Sequence, residues 1–136
     1  MTDEKSADLI RKMGEMIIND PEFEDDSWEA IGLVATFQNG SEEMSGYSYF
    51  ADGSFEAAAP VNFGDVVDKF LELRNYMEAT GQGAFLQCLI HITKPDYALR
   101  VQFEHNDPKR WWPKKISMDM SEFAEQLRPE GLRVRP

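Results

Sequence analysis

At 136 residues and 42% apolar, with nine Phe, four Tyr and three Trp, the chain is long enough to bury one domain's core and too apolar to stay disordered. Its 25 Asp and Glu against 14 Lys and Arg leave a net charge of −11, which disfavours nucleic acid and anionic membranes as partners and attracts a basic protein surface. The excess is uneven: residues 1–29 hold ten acidic against three basic side chains, residues 30–93 hold eight against two, and residues 94–136 hold seven against nine.

The first residues are charged and lack the apolar run of a signal peptide, and no later stretch approaches ~18 consecutive apolar residues. The expectation is a cytoplasmic protein that is neither exported nor membrane-spanning. A lone Cys88 cannot form an internal disulfide and suits a reducing compartment. No repeat, low-complexity tract or linker divides the sequence, so 1–136 reads as one domain.

Over residues 3–19, Leu9, Ile10, Met13, Met16 and Ile17 recur at steps of three and four, which predicts an amphipathic helix with Asp3 and Glu4 at its anion-favouring start. Residues 20–27 read as an acidic loop carrying Phe23. Three strands follow, 28–38, 41–50 and 54–59, joined at Asn39-Gly40 and Asp52-Gly53, both suited to two-residue hairpin turns with positive φ. Two such turns put Ile31, Leu33, Ala35, Phe37, Met44, Gly46, Ser48, Phe50, Phe55, Ala57 and Ala59 on a core face. Val34, Thr36, Glu43, Tyr47, Tyr49 and Glu56 fall on the other face, assigned to solvent.

A second helix is predicted over 63–79, burying Val66, Val67, Phe70, Leu71 and Met77; Asn62 caps it, Asp65 answers the cap, Val61 staples to Val66, and Gly81 or Gly83 ends it. Strands 85–93 and 97–104 turn around Pro95-Asp96, with Cys88, Ile90, Ile92, Leu99, Val101 and Phe103 facing the core and Gln87, His91, Arg100, Gln102 and Glu104 facing away. Asp119 and Glu122 have capping-box spacing for a last helix, Met118 can staple to Phe123, and Pro129 stops it. The order α-β-β-β-α-β-β-α predicts an α+β domain: an antiparallel sheet of about five strands with helices packed on one face.

No catalytic constellation stands out. Cys88 and His91 lie three apart on a strand and so point to opposite faces, and His105 has no Cys/His cluster to join. The run Glu22, Glu24, Asp25 and Asp26 lacks the glycine and the twelfth-position Glu of a calcium loop, and neither a phosphate loop nor a nucleophile elbow occurs. Neither metal nor cofactor is expected. The acidic run is either a solvated loop or a docking patch for a basic partner. Trp111-Trp112, set between Pro108 and Pro113 and flanked by Lys109, Arg110, Lys114 and Lys115, offers core closure by one tryptophan, a protein-binding hot spot, or a base-stacking platform that the net charge opposes.

The stretch GAFLQCLIHITKPDYALRVQFEHNDPKRWWP, a hairpin running into Asp107-Pro108-Lys109-Arg110-Trp111, together with the preceding helix DKFLELRNYMEATGQG and the N-terminal helix with its acidic loop, resembles the YezG-like immunity (antitoxin) proteins of bacteria. The turn Lys94-Pro95-Asp96 and the doubled tryptophan depart from that pattern. The resemblance implies a cytosolic, non-enzymatic protein that neutralises a cognate toxin, often a nuclease domain, and it transfers no contact residues. From the residues themselves, the expected contact set is Glu22, Glu24, Asp25, Asp26, Glu29, Glu43, Tyr47, Tyr49, Glu56, Trp111 and Trp112, carboxylates and aromatics that suit a cationic partner. The alternative is a small enzyme or small-molecule-binding domain in which His91, Arg100 and Glu104 converge on a ligand in a deep pocket.

Overall fold

A computed structural model describes residues 4–25, 27–112 and 120–129. Helix α1 (Glu4–Ile18) and a short 3₁₀ turn (Pro21–Phe23) lead into strands β1 (Ala30–Gln38), β2 (Ser41–Tyr49) and β3 (Phe55–Ala57). Helix α2 (Phe63–Ala79), strands β4 (Gln87–Thr93) and β5 (Ala98–Glu104) and helix α3 (Met120–Leu127) complete the order. The five strands form one antiparallel sheet ordered β3-β2-β1-β4-β5. Fold class and element order are those the sequence predicts.

On the first face, α1 and α2 pack against Ile31, Leu33, Ala35 and Phe37 of β1 and Cys88, Ile90 and Ile92 of β4. Alternation alone selects these residues, because side chains two apart on a strand share a face. Helix α2 contributes Val66, Val67, Phe70, Leu73 and Met77, each large side chain contributing roughly 1.5–3 kcal/mol by burial. Leu73 takes a fully buried place, while the expected Leu71 is only partly buried.

The β1–β2 hairpin turns at Asn39-Gly40, whose φ values of 51° and 79° match a two-residue loop with Gln38 opposite Ser41. The β2–β3 turn differs from expectation. Tyr49 pairs with Phe55, and the Phe50 N–H bonds the Ser54 carbonyl, so Ala51-Asp52-Gly53 is a three-residue loop closed by Gly53 at φ 89°. One extra loop residue reverses the side-chain parity of β3. Phe55 therefore lies on the Tyr47 side of the sheet, with ring centroids 5.6 Å apart, and Glu56 pairs with Ser48 on the other side.

The larger correction concerns the face assigned to solvent. Helix α3 lies across it, and Ala30, Val34, Tyr47, Tyr49, Leu89, Trp111, Phe123, Ala124 and Leu127 form a second buried cluster. The helices thus occupy both faces. Close approach is possible because Gly32 has no side chain: a Cβ there would meet the Leu127 carbonyl oxygen and the His91 ring at 3.2 Å. Helix α3 ends before Pro129, as expected, while Met118 and Asp119 lie outside the described residues.

Candidate functional site

Asp20 organises the acidic loop. Its carboxylate is buried and accepts three backbone N–H groups: Glu22 (2.9 Å) and Val61 (2.8 Å) at Oδ1, and Asn62 (2.9 Å) at Oδ2. One side chain therefore caps the 3₁₀ turn and ties the chain just before α2 to it. The Glu22 and Val61 nitrogens lie within about 6 Å of each other, since each is one hydrogen bond from the same oxygen. Asn62 makes no side-chain cap bond, and Val61, 63% exposed, is no staple to Val66; Asp20 has displaced both expected roles.

The consequence is a mixed surface. Glu22, Glu24 and Asp25 are exposed on one side of the Asp20 lock, and Val61 and Phe63 (37% exposed) stand on the other, with exposed Asp65 and Asp68 following along α2. Asp26 lies outside the described residues. An apolar centre with a polar rim is the general anatomy of a protein interface. Sequence reasoning found the acids but not the apolar pair, because the Asp20–Val61 contact spans 41 residues.

The remaining expected contacts are scattered. Glu29 is half-buried, its N–H bonded to the Tyr49 carbonyl and its own carbonyl to the Lys94 N–H. Glu43 and Glu56 are exposed but on opposite sides of the sheet. Tyr47 and Tyr49, expected as exposed contacts, are buried instead, at 4% and 0% exposure. The Tyr49 hydroxyl donates to the Ala124 carbonyl at 2.7 Å, and burial pushes the Tyr47 phenol pKa up.

The tryptophans also turn inward. Trp111 is buried, with its backbone N–H donating to Gln87 Oε1 (2.9 Å) and the Arg110 guanidinium over its ring, whereas Trp112 is half-buried and its indole N–H donates to Thr36 Oγ1 at 3.1 Å. Gln87, fully buried, bonds the same hydroxyl through Nε2 at 3.0 Å. These bonds fasten the loop after β5 to the sheet. Glu104 holds the start of that loop: its carboxylate lies below the usual range because the Asn106 N–H, the Arg110 guanidinium and the Asp107 N–H all donate to it.

His91 and Arg100 line the same cavity, but Glu104 does not join them. His91 is buried with Nε2 2.7 Å from the Leu127 carbonyl, Glu104 serves its loop, and Arg100 is exposed beside a cavity of about 970 Å³. That cavity lies between β4–β5, the end of α3 and the Trp111 loop. Cys88 is on the opposite face from His91, and burial drives its thiol pKa far up, so the two share no chemistry. Among the described residues no group of three His, Cys, Asp or Glu side chains is placed to hold a metal, and no helix is long and apolar enough to cross a membrane. No protein-family model and no curated protein matches this chain.

Proposed function

We propose that this chain is an immunity protein that binds a cognate toxin domain, most simply a nuclease, and blocks it by occupying its basic surface. The observation that carries the reading is the Asp20 lock, which ties the backbone of the acidic loop bearing exposed Glu22, Glu24 and Asp25 to the stretch bearing exposed Val61 and Phe63. A nuclease needs a cationic cleft for phosphates; an acidic rim steers the two proteins together, and an apolar centre holds them. The net charge of −11 and the resemblance of the 83–113 segment to YezG-like proteins support the same reading. Tyr47, Tyr49 and Trp111 serve the fold rather than the interface.

Co-expression with a candidate cognate toxin, sought first among the genes neighbouring this one, tests this. The wild-type chain restores growth, whereas a variant carrying Glu22→Lys, Glu24→Lys and Asp25→Lys, folded by circular dichroism, loses protection. Undiminished protection by that variant would refute the assignment of the surface.

A further inference from the structure

The cavity over β4 and β5 has the opposite sign to the rest of the molecule. Among the described residues Lys94, Arg100, Arg110 and Arg128 line it and no Asp or Glu does, in a chain where acids outnumber bases 25 to 14. The four cations are not equivalent. Arg110 donates to Glu104, Arg128 donates to Glu125, and the Lys94 ammonium lies 4.3 Å over the Trp28 ring. Arg100 stands apart: it is exposed, and among the described residues no carboxylate pairs with it.

Register fixes what surrounds Arg100. It lies directly across from His91, so the two side chains leave the sheet about 5 Å apart on the same face. The Leu127 carbonyl offers only lone pairs, which makes His91 Nε2 the donor in their 2.7 Å bond and holds the imidazole still. Gln102 and Gln126 add amide donors, and Leu89 and Trp111 supply apolar wall. At about 970 Å³ the space is of the size that small organic ligands fill.

We propose that this cavity binds a small organic anion, its carboxylate or phosphate held by the Arg100 guanidinium and its apolar body lying against Trp111 and Leu89. The planar guanidinium fork suits either oxyanion in a two-point contact. The surrounding field of a −11 protein gives such a ligand no long-range steering, so retention rests on these short-range contacts. The site lies on the α3 side of the sheet and requires nothing of the acidic surface, so it stands or falls separately from the toxin-binding reading.

The test titrates the full chain with phenyl phosphate, benzoate and inorganic phosphate by calorimetry, following the Trp111 indole N–H and His91 ring resonances. The expected result is saturable binding of phenyl phosphate or benzoate that shifts both resonances. The stronger of the two identifies the acid group, and weaker binding of inorganic phosphate shows the contribution of the apolar body. Arg100→Glu should weaken binding at least about tenfold, while Arg11→Glu, an equal charge change on α1, should alter it by less than about twofold. Arg100→Gln serves where charge reversal disturbs the fold. Absence of saturable binding by all three probes, or equal weakening by the Arg100 and Arg11 variants, overturns the proposal.

Discussion

The two faces of the sheet are closed by different chemistry. On the α1–α2 face, Ile31, Leu33, Ile90 and Ile92 meet aliphatic and aromatic side chains of the helices, and contact there is nondirectional. On the α3 face the partners are directional: Tyr49 to the Ala124 carbonyl, His91 to the Leu127 carbonyl, Gln87 to Thr36 and the Trp111 N–H, Trp112 to Thr36. Arg128, only 4% exposed, extends this pattern from the end of α3, donating to the Gly53 carbonyl at 3.0 Å and lying over the Tyr49 ring. A strand face rich in Tyr, His and Gln is therefore not a wet face when each polar atom meets a specific partner.

The comparison breaks most sharply at Phe70, fully buried on the α1–α2 face. Phe70→Ala should cost about 3–5 kcal/mol and unfold both faces together in urea, because β1, β2, β4 and β5 all pack side chains into that core. A loss confined to one face would show that the two clusters fold independently.

A smaller and local effect is expected at Tyr49. Tyr49→Phe keeps the ring beneath Arg128 but removes the donor to Ala124, costing about 1–2 kcal/mol. Amide exchange should quicken in α3 while β1 and β4 keep their protection, and uniform quickening would contradict the local role given to this bond.

The smallest effect is electrostatic. The Glu104 carboxyl titrates below its ordinary value of 4.5 in the folded chain, so its contribution is complete above that value and disappears as pH falls through the depressed one. Glu104→Gln should therefore lower stability at neutral pH and make progressively less difference on acidification. An equal deficit at all pH values would show that shape, not charge, holds the loop.

These faces also explain what could be read in advance. The α1–α2 face of β1, β4 and β5 and the extent of α2 were legible because apolar side chains facing that core recur with the period of their element; α2 spans Phe63–Ala79 as predicted. The parity of β3 was not, since Asp52-Gly53 suits a two-residue turn and the end of a three-residue loop equally well. The covering of Tyr47 and Tyr49 was hidden for a different reason: a period-two pattern separates two faces but does not say which polar groups will find partners across 75 residues. At the candidate site, the exposed acids were plain from composition, whereas Asp20 looked like one more loop carboxylate. Its Asp-Pro-Glu setting was the one local signal of a capping role.

The central functional claim is that an acidic rim steers, and the Val61–Phe63 pair holds, a basic toxin domain. The most direct measurement is the rate of association and dissociation with that domain for two variants against wild type. With Glu22→Gln, Glu24→Gln and Asp25→Asn the association rate should fall about tenfold and lose most of its salt dependence, with dissociation little changed. With Val61→Ser and Phe63→Ser dissociation should accelerate instead. Unchanged rates in both variants, with tight binding preserved, would contradict the account and move the interface elsewhere.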